Sequence, residues 1–92
     1  MSPHRPWIRV GQYLKSQRIE CGLTQRELAN HFQLSSAQYV SNWERGTCPP
    51  PVAYLPKLCE LLKINQKQMV QLILDQTKVE LNTVFKKAAW KR

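Results

Sequence analysis

The stretch TQRELANHFQLSSAQYVSNWERG, residues 24–46, carries two helical patterns separated by a break. Thr24 is a good N-cap, and Glu27 three residues later completes a capping box. Leu28, Ala29 and Phe32 then line the apolar side of the first helix. The pattern lapses at Gln33-Leu34. Ser35 is a second N-cap candidate with Gln38 three residues on, and a helix over about 36–44 sets Val40 and Trp43 on one side. Gly46 suits the left-handed position just past its end. Nearly opposite Val40 and Trp43 lie Gln38, Asn42 and Arg45. Solvated helix faces usually carry Lys and Glu; this one carries amides and hydroxyls, groups able to read hydrogen-bond patterns.

The flanking sequence repeats the helical period. Residues 8–20 place Ile8, Gly11, Leu14 and Ile19 along one stripe that ends before Gly22. TCPPP at 47–51 is a rigid connector that no helix can cross. A fourth helix starts near Leu55 with Pro56 in its first turn, presenting Leu55, Leu58, Cys59 and Leu62 to a core. Asn65 with Gln68 caps a last helix from 66 to about 89. Strand patterns are poor throughout, so the expected fold is all-α with five helices. It divides into an N-terminal arm (1–7), a helical domain (8–65) and a long C-terminal helix (66–92).

At 92 residues with 42% apolar content, the chain suits one small domain plus an appendage. No apolar run approaches the ~20 residues needed to span a bilayer, so no membrane association is expected. The N-terminus MSPHRPWIRV lacks a signal peptide's apolar stretch. Cys21, Cys48 and Cys59 are odd in number and far apart, and with His4 and His31 they form no zinc spacing. They read as reduced thiols of a cytoplasmic protein. No Ser/His/Asp or Cys/His arrangement, metal cluster or phosphate loop points to an enzyme, a metal or a cofactor. The net charge of +8, from 14 basic and 6 acidic residues, predicts attraction to polyanions.

Two short helices joined by a tight turn, the first capped by Thr24 and the second polar outside, make a helix-turn-helix. GQYLKSQR (11–18), GLTQRELANHF (22–32), VSNWERG (40–46), the proline run and LPKLCELLKI (55–64) together resemble the Cro/C1-type helix-turn-helix family of phage repressors over roughly residues 10–64. That resemblance implies a lambda-repressor-like fold and sequence-specific binding of double-stranded DNA to regulate transcription. It also implies that Arg18 pairs with Glu44, that Gln25 holds a phosphate, that Leu28, Ala29, Val40 and Leu62 lie in the core, and that Gly46 ends helix three. Trp43 stands where the family has an aliphatic residue, so the core must house a larger ring. Two further departures concern the turn. Phe32-Gln33 replaces the family's Leu-Gly, and the chain has one residue more than the common pattern between Leu28-Ala29 and Glu44-Arg45-Gly46.

On this reading Ser36, Gln38, Tyr39 and Asn42 face bases, since amides and hydroxyls match major-groove edges. Gln25, Arg26, Ser35, Arg45 and Thr47 face phosphates, with helix-two N–H groups helping. Alternatives stay open: Gln38 closes a capping box with Ser35, and Tyr39 packs on Trp43. Asn42 and Arg45 have no evident structural task. Arg5 and Arg9 reach backbone or minor groove, or belong to a solvated arm. Val70, Leu74, Thr77, Leu81, Val84 and Ala88 follow a four-three spacing. Met69 and Ile73 let the first part of that helix seal the core, whereas Leu81, Val84, Phe85 and Ala88 favour a homodimer. Lys86, Lys87, Lys91 and Arg92 form a basic tail. No small-molecule effector is implied. The alternative is an antitoxin or co-regulator that uses the same fold mainly to bind another protein.

Overall fold

The first helix, α1 (Ile8–Glu20), crosses the third, α3 (Gln38–Glu44), at Gly11. A Cβ there would lie 2.4 Å from the Trp43 carbonyl oxygen and 2.5 Å from that of Glu44, so the two backbones touch. Gly46 makes a second such approach. It has φ +78°, and a Cβ on it would lie 2.5 Å from the Ile8 Cα. Two glycines thus press the C-terminal end of α3 onto the first half of α1. The computed structural model describes residues 7–88, with side chains through Lys87; Arg5, Lys91, Arg92 and the Ala88 side chain lie outside the described residues.

Between these helices runs α2 (Gln25–His31), and after them come a 3₁₀ turn (Val52–Tyr54), α4 (Leu55–Leu62) and α5 (Gln66–Ala88). The described residues form an all-α fold of five α-helices with no strand. Each boundary has a local cause. Thr24 Oγ1 accepts the Glu27 N–H at 3.0 Å while the Glu27 carboxylate accepts the Thr24 N–H at 2.9 Å, closing the capping box. These bonds to Thr24 hold the Glu27 carboxyl below its ordinary pKa. Lys63, at φ +53°, turns the chain after α4. Asn65 Oδ1 accepts the Gln68 N–H at 3.0 Å and starts α5.

The core comprises Trp7, Val10, Leu14, Leu28, Ala29, Val40, Trp43, Leu58, Leu62, Ile64 and Met69, all buried. Three expectations need correction. Ile19 is 58% exposed; the inner stripe of α1 is Val10, Gly11, Leu14 and Arg18, and Ile19 sits one position past it. Helix three starts at Gln38 rather than 36, with Ala37 at its N-cap. Ser35 does not cap it: Ser36 Oγ accepts the Gln38 N–H at 3.0 Å instead. The surplus residue is therefore accommodated in a six-residue turn, 32–37, in which Gln33 adopts φ +56°.

The long helix α5 packs on α1 and α4. Met69 is fully inside, Leu72 and Ile73 are half-buried, and the Gln76 side chain is covered as well. Further along, Trp7 Nε1 donates to Glu80 Oε2 at 2.9 Å. The inward residues of α5 therefore continue to Glu80, beyond Met69 and Ile73, with which the sequence pattern has this helix seal the core. Outward, Val70, Leu74, Leu81, Val84 and Phe85 are exposed, with Phe85 at 71%.

Two substitutions test this backbone geometry. Gly11→Ala improves intrinsic helix propensity, yet it should destabilise the fold by about 2–3 kcal/mol or more, because neither Trp43 nor Glu44 can withdraw its carbonyl. Gln33→Gly should do the opposite, raising stability by about 0.5–1 kcal/mol as left-handed strain is relieved against a more flexible unfolded chain. Urea denaturation of both variants reads the two signs directly.

Candidate nucleic-acid interface

The carboxylate of Glu44, at the C-terminal end of α3, is buried and accepts three side-chain hydrogen bonds. Arg18 Nε donates to Oε2 at 2.5 Å, Arg18 Nη2 donates to Oε1 at 3.1 Å, and Gln25 Nε2 donates to Oε1 at 3.0 Å. Arg18 Nη1 donates in turn to the Leu23 carbonyl at 2.7 Å. One guanidinium from α1 and one amide from α2 therefore grip the end of α3. Paired two-pronged contact satisfies both charges where water cannot reach them.

Beside this network Trp43 is housed by two rings. Phe32 meets it edge-on at 6.3 Å and Tyr54, from the 3₁₀ turn, meets it edge-on at 6.0 Å, while Phe32 and Tyr54 stack at 4.6 Å. Lys57 lies 5.1 Å over the Phe32 ring and donates to the His31 carbonyl at the end of α2. Tyr54 and Lys57 were not singled out by the sequence; a lone aromatic after three prolines was the only signal. Tyr39 takes no part in this cluster, and its side chain is half-exposed.

With α3 fixed from behind, its outer face carries an ordered polar array. Gln38 Nε2 and Arg45 Nη2 both donate to Asn42 Oδ1, each at 2.9 Å. Asn42 and Arg45 thus have a task within the fold, contrary to the expectation that they have none. Ser35, Ser36, Gln38, Tyr39 and Asn42 line one shallow, open depression. Arg26, Arg45 and Thr47 are exposed as well. Gln25 differs from the rest, because one N–H of its amide is spent on Glu44.

Other predicted contacts fall elsewhere. The α2 capping box occupies the backbone N–H groups of Thr24 and Glu27 and sets a carboxylate at that helix start, so of the first-turn N–H groups those of Gln25 and Arg26 are left, beside their side chains, as its polar contribution. Arg9 lines a cleft between α1 and α5 with Tyr13, Gln68 and Asp75, away from the α3 depression. Among the described residues no group of three or more His, Cys, Asp or Glu side chains is placed to hold a metal ion. Cys21, Cys48 and Cys59 are unpaired thiols, and burial pushes the Cys59 thiol pKa up. No described helix is long and apolar enough to cross a membrane.

A family model described as a helix-turn-helix domain matches residues 9–72, which spans α1 through the core-facing start of α5. No curated protein and no solved structure gives a significant match.

The buried pair yields a thermodynamic prediction. Arg18→Leu and Glu44→Leu should each cost about 3–5 kcal/mol, because each leaves a charge buried without its partner. The double variant should lose clearly less than the two singles combined. Chemical denaturation of all four proteins closes the cycle, and simple additivity would mean that the two side chains stabilise the fold independently.

Proposed function

We propose that this chain, a member of the helix-turn-helix domain family and so a DNA-binding protein, reads duplex DNA sequence-specifically as a Cro/C1-type regulator of transcription. In this reading α3 enters the major groove, Ser36, Gln38, Tyr39 and Asn42 face base edges, and Arg26, Ser35, Arg45 and Thr47 hold phosphates. Gln25 touches a phosphate only through what its bond to Glu44 leaves free. The observation that carries the reading is the hydrogen-bonded array of Gln38, Asn42 and Arg45 on the exposed side of a helix clamped from behind by Arg18 and Gln25. Such preorganisation lowers the ordering cost of docking. The net charge of +8 supplies the non-specific attraction to phosphate.

A single helix reads few base pairs, and two copies on a near-palindrome extend the site. We assign the dimer contact to the outward stripe of α5, with Leu81, Val84 and Phe85 central and Ala88 continuing the spacing. Val70, Leu74 and Thr77 extend the same line toward the domain, over a helix of 23 residues or about 34 Å. Its partner is a second copy of this chain. One feature favours the other reading, an antitoxin or co-regulator: the apolar cleft lined by Val52, Leu55, Pro56, Cys59 and Val70. A stable heteromeric complex in place of a homodimer would select it.

Two measurements test the proposal. The Gln38→Ala/Asn42→Ala double variant should lose about 2–4 kcal/mol on a selected site and little on random duplex; an unchanged ratio would mean that another surface reads the bases. Serine at Leu81, Val84 and Phe85 should leave a folded monomer, since Gln76 and the Trp7–Glu80 bond are untouched. Its affinity for an intact palindrome should drop to that for a half-site. Equilibrium sedimentation and binding isotherms on both duplexes follow this, and a triple variant that stays dimeric would place the dimer contact elsewhere.

A further inference from the structure

The hydrogen bonds on the outer face of α3 constrain which base its central residue can recognise. Asn42 Oδ1 accepts from Gln38 Nε2 and from Arg45 Nη2, both at 2.9 Å, so the two lone pairs of that oxygen are occupied. The orientation of the amide is set by the Arg45 contact, because exchanging its oxygen and nitrogen would aim an NH₂ group at a guanidinium, which has no acceptor, and Gln38 donates to the oxygen so placed. What Asn42 has left to offer is its Nδ2 group, which only donates.

A carboxamide distinguishes adenine by accepting from N6 while donating to N7, and for that it needs its own oxygen. Asn42 would have to release one of those two hydrogen bonds to accept from N6, with no net gain at its oxygen, and would uncouple itself from Gln38 or from the Arg45 guanidinium in doing so. The major-groove edge of guanine has the opposite character, with two acceptors, N7 and O6, and no donor. Arg45, bonded to the oxygen of the same amide, adds positive charge and further N–H donors to this face. Gln38, in contrast, keeps its own Oε1 and one N–H, so it retains both functions.

We infer that Asn42 acts as a donor-only reader that selects guanine in each half-site, held in that state by Gln38 and Arg45. This rests on the proposal that α3 enters the major groove, and it assigns a base class to one position of that surface. Arg45 acts here as a positioning residue, through Asn42.

The test uses the full chain and a pool of duplexes with a randomised core. The wild type should enrich a motif with one guanine per half-site at which substitution by adenine lowers affinity roughly tenfold or more. Replacing that guanine by 7-deazaguanine, which removes N7, should weaken wild-type binding in the same direction. Asn42→Asp keeps an oxygen for both donors but exchanges the NH₂ for a second acceptor. Its selected motif should lose that guanine in favour of cytosine, whose N4 donates, with the other positions retained. Asn42→Ala serves as a second variant that adds no charge at position 42, and should bind the guanine and 7-deazaguanine duplexes alike. If the wild type enriches no motif, base reading by this chain fails and the inference with it. If a motif appears but its Asn42-sensitive position is an A·T pair, or no guanine depends on Asn42, the donor-only assignment is overturned while base reading stands.

Discussion

Glu44 is a buried carboxylate, and most of the architecture near the interface can be understood as the means of keeping it satisfied. A carboxylate inside a small domain is tolerable only with close donors. Arg18 brings two N–H groups from α1 and Gln25 brings one from α2. For those donors to reach, α3 must lie directly against α1, and Gly11 and Gly46 permit that approach. Charge satisfaction and backbone contact therefore impose the same position on α3. A helix of seven residues has little stability of its own; here its orientation is dictated from one end by three hydrogen bonds from two neighbouring helices.

The consequence on the outer side is order. With Val40, Trp43 and Glu44 buried, Gln38, Asn42 and Arg45 must share the opposite face, and they bond to one another there. The ring cluster of Phe32, Trp43 and Tyr54 adds apolar area where the chain carries an indole in place of an aliphatic side chain. It also packs Tyr54, at the end of the 3₁₀ turn after the prolines, against the core. Clamping and display are two sides of one helix.

Much of this was legible in the sequence where the cause is local. The Thr24/Glu27 box, the Asn65/Gln68 cap and the turn at Gly46 each depend on residues within four positions, and each is found in the structure. Distant or competing causes were not legible in local pattern; the Arg18–Glu44 pair was expected only through the family resemblance. Ile19 looked like a core residue because apolar periodicity cannot see that Arg18, beside it, is drawn inward by a carboxylate 26 positions away. Ser35 had the right spacing for a cap, but the surplus residue lengthens the turn and Ser36 takes over part of that work. The reach of α5 was underestimated because the Trp7–Glu80 bond joins residues 73 apart. At the interface the residue types were readable, whereas the bonds among Gln38, Asn42 and Arg45 depend on side-chain geometry that no spacing rule supplies.

On the proposed reading the buried network presents the Gln38–Asn42–Arg45 face to DNA while Arg18 and Glu44 stay internal. Side-chain amide NMR of the uniformly ¹⁵N-labelled full chain, titrated with a selected duplex, reads both halves at once. The NH₂ signals of Gln38 and Asn42 should shift strongly and saturate together with complex formation, while that of Gln17, bonded to the Leu62 carbonyl, should hold its position. The Arg18 Nε–H signal should remain protected from solvent exchange throughout. Large shifts confined to α5, with the Gln38 and Asn42 amides unmoved, would mean that α3 does not meet the DNA.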